Sequence, residues 1–250
     1  MSELAQNEAS FSLVGRKIML GLPTYDHKVS AKMAIALMDF AVKAQKHGVA
    51  IQISNISGCS VVSRVRNIIA KDFLDSDCTD LMFIDSDINF NADDIFRLMA
   101  WNTDPKKGIV AGIPVARKKQ KTFITHLETD GEGNVFMDKM GLVQATKVAT
   151  AFMLIRKEVF PAIKAMIPDL EYADERGGVL DSYFDFSSRK DGYMGEDFLF
   201  CERARQAGFE IWIDPTIKLG HMGIEEFEGS FGEDWLYPQL RSVDTNKDAA

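Results

Sequence analysis

Leu81-Met82-Phe83-Ile84-Asp85-Ser86-Asp87 is the stretch that decides the fold. Four apolar residues bounded by Asp80 and Asp85 make a short buried strand. The strand ends on two acids one residue apart. Alternate side chains of an extended chain share a face, so Asp85 and Asp87 point one way and Ser86 the other. Two carboxylates at the mouth of a buried strand repel each other unless a cation lies between them. Hard oxygen ligands of this kind suit Mg²⁺ or Mn²⁺, which in turn bridge phosphate oxygens. The acids also read as an Asp-rich lead into the helix that begins at Asn91-Ala-Asp-Asp94. The buried strand in front of them favours the metal.

Working outward toward the N-terminus, Val61 to Leu74 has helical spacing, with Val62, Val65, Ile69 and Phe73 on its buried side. The loop Ser54 to Ser60 precedes it, and Val49 to Ile53 is a strand. Ala31 to His47 is a helix whose apolar positions are Ala34, Leu37, Met38, Ala41 and Val42, closed by Gly48. Lys17 to Leu22 is the first strand and breaks at Pro23-Thr-Tyr-Asp26. In the other direction a helix runs to Trp101 and a strand from Gly108 to Val115. This alternation predicts an α/β fold, a Rossmann-like and mostly parallel sheet with helices on both faces. Such sheets bind ligands in the crevice at the carboxyl ends of their strands, where Pro23-Thr24-Tyr25 and Asp85-Ser86-Asp87 fall.

The second half is of mixed character. Thr122 to Phe136 reads as a hairpin around Asp130-Gly-Glu-Gly133, Val148 to Ile155 as one buried strand, and Lys157 to Met166 as a short helix. Leu170 to Lys190 reads as an irregular loop over the site. Gly195 to Ala207 is a helix, and Glu210 to Ile213 and Lys218 to His221 are strands. An acidic, aromatic tail follows Gly223, with the last ten residues frayed. The expected organisation is one domain made of a first half (1–115), a second half (116–223) and a tail (224–250).

A net charge of -8 argues against a nucleic-acid partner, which needs a basic face. An anionic small molecule remains compatible, because a divalent ion would supply the positive charge. Cys59, Cys78 and Cys201 are widely spaced and odd in number, which favours reduced thiols and a cytoplasmic setting over disulfides or zinc. The polar, acid-bearing start does not read as a signal peptide, and no apolar run approaches the ~20 residues of a membrane span.

Two further signals come from the second half. In the helix from Gly195, the stripe Phe200, Cys201, Ala204 and Ala207 extends back to Asp197, which directs that carboxylate inward. Glu196 lies one step round and leans toward Arg203. Both acids would also complement the helix dipole, which explains an acid in the first turn but not one on the buried side. His221 sits between glycines that leave its ring unobstructed, and an imidazole beside two carboxylates shifts preference toward Mn²⁺. Arg64, Arg66 and Asn67 could hold a phosphate or a base edge, or form a solvated helix face. Arg117, Lys118, Lys119 and Lys121, the one dense basic cluster, could steer an anion or be plain surface.

Asp85-Ser-Asp87, Gly195-Glu-Asp-Phe-Leu-Phe-Cys201, Ile211-Trp-Ile-Asp-Pro215 and Leu219-Gly-His-Met-Gly223 stand in the order seen in GT-A glycosyltransferases. From about Lys17 to Gly223 the sequence resembles their small, stand-alone bacterial and phage-type members, which use a nucleotide-sugar donor. The resemblance implies that Asp85, Asp87 and His221 hold Mn²⁺, with Mg²⁺ as a substitute, against the donor diphosphate. It implies that Pro23, Thr24 and Tyr25 meet the nucleoside, that Arg66 and Asn67 approach the nucleotide, and that Asp85 and Ser86 belong to the donor site. Glu196 and Asp197 would face the acceptor as the catalytic carboxylates, with 1–115 as the nucleotide- and metal-binding half and 116–223 as the acceptor half. A UDP-sugar is the donor it favours, with a saccharide or another hydroxyl compound as acceptor. Many relatives place an acid after the second strand to read the base, whereas this chain has Ser54 and Asn55.

The residue types suit glycosyl transfer: a divalent ion stabilises a departing diphosphate and an inward carboxylate takes the acceptor proton. Two rivals stay open. A nucleotidyltransferase also sets carboxylates and metal on a parallel sheet, but Gly21-Leu-Pro-Thr-Tyr25 replaces its glycine-rich phosphate loop. A non-catalytic sugar-nucleotide binder would be expected to lack Asp85, Asp87 or Asp197, and all three are present.

Overall fold

The structure is a computed structural model that describes residues 13, 15–118, 120–175, 177–190, 192–223 and 226–240. The frayed end expected over the last ten residues lies outside these. The first half follows the predicted alternation: β1 (Lys17–Thr24), α1 (Ala31–Lys46), β2 (Ala50–Ser57), α2 (Val62–Asp75), β3 (Asp80–Ile84), a two-residue β4 (Ile88–Asn89), α3 (Ala92–Trp101) and β5 (Ile109–Ala111). Asn91 caps α3 as part of a reciprocal capping box with Asp94, so the Asn-Ala-Asp-Asp segment does start a helix. β2 runs four residues further than expected, in register with β1 as far as Thr24 opposite Ser57.

The second half contributes β6 (Thr125–Leu127), β7 (Val143–Val148), β8 (Phe152–Arg156), α4 (Val159–Met166), β9 (Glu171–Ala173), β10 (Val179–Asp181), β11 (Ser187–Arg189), β12 (Gly192–Met194), α5 (Glu196–Gln206), β13 (Ile211–Ile213), β14 (Lys218–Met222) and β15 (Glu226–Ser230). The main sheet has eight strands in the order β2-β1-β3-β8-β5-β13-β7-β6. Only β8 and β7 run against the others, so six of eight strands share one direction. The mostly parallel α/β sheet read from the sequence is present.

Alternate residues of the central strands feed two cores. Leu81, Phe83, Ala111, Met153 and Ile213 pack with α2, α4 and α5 on one face. Met82, Ile84, Val110, Leu154 and Trp212 pack with α1 and α3 on the other. Burial on both faces is why β3 reads as an unbroken apolar run.

Four expectations are corrected. The buried side of α1 is Met33, Ala36, Phe40 and Ala44, while Met38 is 61% exposed and Val42 is also outside. The segment Val148 to Ile155 is not one strand: Ala149-Thr-Ala151 breaks it, and β8 turns back antiparallel between β3 and β5. Between Leu170 and Lys190 the chain forms the β9–β10 hairpin and β11 instead of a loose loop, and Tyr183 and Phe184 are buried in the core. Phe184 stacks on Phe200 with ring centroids 4.3 Å apart, which anchors this segment to α5. The tail beyond Gly223 pairs as β15 with β14 and buries Phe231 and Leu236. The Asp130–Gly133 turn closes as expected, Gly133 N–H donating to Asp130 O at 3.1 Å, although β6 takes β7 as its partner.

Candidate active site

β3 ends at Ile84, and the chain turns through Asp85-Ser-Asp87 into β4. The turn is held on both sides by backbone. Asp85 N–H donates to Ala151 O at 3.0 Å, and Met222 N–H donates to Asp87 O at 2.8 Å. β4 pairs with β14, setting Ile88 opposite His221. The sheet register thereby carries His221 to the side of Asp87, 134 residues away in the chain.

His221 Nδ1 lies 2.8 Å from Val115 O, and Nε2 lies 3.5 Å from Asp87 Oδ2. Burial, more than any neighbour, keeps the imidazole pKa below its usual value, so the ring is neutral at pH 7. A neutral ring whose Nδ1 proton is given to a carbonyl presents an Nε2 lone pair. Neighbouring ligands on one six-coordinate ion with bonds of about 2.1 Å stand roughly 3 Å apart. The Asp87–His221 pair is close to that spacing, and its oxygen and nitrogen donors suit Mn²⁺. Asp85 is engaged elsewhere: Arg66 Nη2 donates to its two oxygens at 3.2 and 3.3 Å. Among the described residues no three His, Cys, Asp or Glu side chains converge on one metal position.

Arg66 is the buried hub of the site. Its side chain is 5% exposed, and Nη1 pairs with Glu196 while Nη2 reaches Asp85. Burial opposes its charge, and Asp85, Glu196 and Asp197 more than offset that, holding its pKa above the ordinary value. Glu196 thus pairs with Arg66; Arg203, its expected partner, donates instead to Ser182 O and Tyr183 O at 2.6 and 3.0 Å. At the start of α5 the stripe Phe200, Cys201 and Ala204 is buried as expected, and Asp197 sits at its head. Burial first, then the negative Glu196, push the Asp197 pKa up to about 6. A carboxyl in this state titrates where a general base is useful.

Pro23, Thr24 and Tyr25 line one crevice of about 160 Å³ with Asp85, Ser86 and Asp87, as expected of a shared site. Tyr25 is 66% exposed at its mouth. Thr24 is held from behind: Asn55 Nδ2 donates to its Oγ1 at 2.8 Å, and Ser57 Oγ lies 2.5 Å away. Asn55 therefore shapes the turn, its Nδ2 also donating to Leu22 O at 2.9 Å. Asn67 is placed differently from expectation. Its Nδ2 donates to Phe184 O at 2.9 Å and its Oδ1 accepts from Phe184 N–H at 2.8 Å, so its amide is occupied away from the crevice. Arg64 likewise forms a two-point pair with Asp174. A larger groove of about 690 Å³ lies between α1 and β15, and none of the site acids lines it.

Sequence reasoning missed the pair between Arg117 and Asp87. The signal was the basic cluster, but nothing in the spacing tied it to the acids 30 residues before it.

No protein-family model matches the chain, and no curated protein matches it in sequence. Among solved structures it is similar to A197 from STIV, at 17% identity over 87% of this chain and 91% of that one, with a TM-score of 0.52. A Drosophila β-1,4-galactosyltransferase 7 variant, solved with manganese, UDP-Gal and xylobiose, matches at 14% identity over 79% of this chain and 64% of its own, TM-score 0.43. GalNAc-T7, solved with UDP, GalNAc and Mn²⁺, matches at 11% identity over 83% and 44%, TM-score 0.47. The likeness is one of fold. No helix among the described residues is long and apolar enough to cross a membrane.

Proposed function

We propose that the chain is a metal-dependent glycosyltransferase that moves a sugar from a nucleoside diphosphate donor, with UDP as the favoured nucleotide, to an acceptor hydroxyl. One observation carries the proposal. Arg66 joins the Asp85 end of the acidic turn to the Glu196-Asp197 end of α5, so the two acidic motifs form one electrostatic unit at the carboxyl end of β3. A diphosphate site and an acceptor site must adjoin in this way for a sugar to pass between them.

In this proposal Asp87 and His221 would hold a divalent cation, which would offset the charge developing on the departing diphosphate, while Asp85 stays paired with Arg66. Pro23, Thr24 and Tyr25 hold the nucleoside, with the exposed Tyr25 ring as a stacking surface. Asp197 accepts the proton of the acceptor hydroxyl as its oxygen bonds to the anomeric carbon and the bond from that carbon to the diphosphate oxygen breaks. Base catalysis from that side inverts the anomeric configuration. Glu196 keeps Arg66 charged and placed, and does not itself move a proton.

The test is a panel of nucleotide sugars assayed for slow hydrolysis with Mn²⁺ in the absence of acceptor. A single UDP-sugar consumed faster than its GDP, CDP and ADP counterparts is expected. Equal inertness of the whole panel, together with no nucleotide binding by calorimetry, would remove the proposal.

A further inference from the structure

Both acids of the turn already face an arginine, and the two arginines differ in kind. Arg66 is buried and fixed between Asp85 and Glu196. Arg117 is 44% exposed and lies in a short loop. That loop is closed at its base by the Val115–Phe123 bridge and by Ala116 N–H donating to Thr122 O at 2.8 Å. Its root is tied to the same histidine as the acids, since Val115 O is the acceptor of His221 Nδ1.

We infer that Arg117 is a built-in counter-cation for Asp87, which a divalent cation displaces and which then takes the diphosphate of the donor. This rests on the glycosyltransferase reading above. The decisive detail is a shared atom. Arg117 Nη2 pairs with Asp87 through Oδ2, the oxygen that also faces His221 Nε2 at 3.5 Å. A guanidinium and a metal ion at one carboxylate oxygen repel each other, so the two compete for it. Arg66 cannot step aside, because Glu196 holds its other nitrogen. Arg117 can, because its side chain is 44% exposed and Asp87 is the carboxylate it pairs with.

The released guanidinium has a natural new partner. Its planar fork of donors matches phosphate oxygens as well as it matches a carboxylate. A diphosphate bound beside Asp87 and His221 would lie within reach of Arg117, whose guanidinium would pair with its oxygens. Metal and nucleotide then favour each other's binding, and the linkage is reciprocal. The basic cluster thus has one member with a defined task, whereas Lys121 is committed to Asp234 at 2.8 Å.

Calorimetry on the full chain tests this with Mn²⁺ alone, and with UDP at saturating Mn²⁺. Arg117→Ala is expected to bind Mn²⁺ alone roughly threefold to fivefold tighter, the range for a partly exposed ion pair that no longer competes. The same variant is expected to bind UDP about tenfold more weakly once Mn²⁺ is saturating, as a charge-assisted contact is lost. In an Asp87→Asn background the effect of Arg117→Ala on Mn²⁺ should vanish, because the two act through one contact. Mn²⁺ affinity that is unchanged or weaker in Arg117→Ala overturns the inference, as does unchanged UDP affinity. If the wild-type chain binds neither Mn²⁺ nor UDP, the glycosyltransferase reading fails with it. If the wild type binds both and the variant shifts neither, the inference alone fails.

Discussion

His221 and Val115 are joined by a 2.8 Å hydrogen bond from Nδ1 to the carbonyl oxygen, and that bond settles which ring nitrogen faces Asp87. The proton sits on the carbonyl side, so Nε2 carries a lone pair toward Oδ2. A strand register, not a local motif, produces this: β4 and β14 bring Ile88 and His221 side by side.

His221→Ala is therefore expected to weaken Mn²⁺ binding by at least about tenfold, since even groups that only orient a ligand are worth that much. The fold should persist, because neighbouring Leu219 remains in the core and the β14–β15 pairing uses backbone. Electron paramagnetic resonance of free Mn²⁺ measures the affinity directly. Wild-type affinity in the variant would take His221 out of the metal set.

Asn67→Ala should act on stability and not on nucleotide affinity. The Asn67 amide satisfies both the N–H and the C=O of Phe184 in the core, at 2.8 and 2.9 Å. Removing it leaves two buried backbone groups unpaired, at a cost of about 1–3 kcal/mol each. Urea unfolding should show a lower midpoint, while UDP binding to the folded protein with Mn²⁺ stays near wild type. A loss of UDP affinity without loss of stability would return Asn67 to the donor site.

Two acids set the pH behaviour. Burial raises the pKa of Asp94 to about 6, and burial with Glu196 does the same for Asp197, against 3.8 for a free aspartate. A pKa raised by folding gives stability that is present below about 4 and is lost as pH rises through about 6. Asp94→Asn mimics the protonated form, so it should gain stability relative to wild type between pH 4 and 7, measured by urea midpoints. For activity the sign is opposite, since a base must be unprotonated. The transfer rate should climb through about pH 6 and level off above it, and a flat profile from pH 5 to 8 would exclude Asp197 as the base.

Residues with strong local constraints could be read from the sequence. β3 has four apolar residues in a row because both its faces are buried, and the Asn91 cap is a reciprocal pair within one turn. α1 shows why other features could not be read. Ala34, Ile35, Ala36, Leu37 and Met38 are apolar in succession, so periodicity could not choose between the side carrying Met33 and Phe40 and the side carrying Met38 and Val42. The break at Ala149-Thr-Ala151 is equally silent, because small residues neither stop a strand nor mark a reversal. The candidate site divides the same way. Asp197 stands on a regular helix whose face can be counted, whereas Asp85 and Asp87, expected on one face of an extended strand, lie in the turn that Ile88 N–H closes on Asp85 O and face different arginines. The partners of Arg66 and Arg117 are set by tertiary packing across 130 and 30 residues, which no spacing rule reaches.

The sharpest prediction concerns the two neighbouring acids at the start of α5. Asp197→Asn should lower transfer by ~10²–10⁴-fold while UDP and Mn²⁺ binding change little. The substitution keeps the side chain's size, removes its charge, and relieves rather than creates a buried charge, so the protein should be no less stable. Glu196→Gln should do the reverse. Its carboxylate is paired with Arg66, and the two side chains are 12% and 5% exposed, so neutralising one leaves the other charge buried and less compensated. Breaking one side of a buried pair costs about 3–5 kcal/mol, reduced here because Asp85 still faces Arg66. Glu196→Gln is thus expected to show a lower unfolding midpoint with Mn²⁺ affinity near wild type, because Asp87 and His221 are untouched. Measuring unfolding, Mn²⁺ affinity and single-turnover transfer on both variants separates the roles. If Asp197→Asn lost metal binding as completely as Asp87→Asn, Asp197 would belong to the metal set. If it kept wild-type turnover, its place at the head of α5 would be explained by the helix dipole alone.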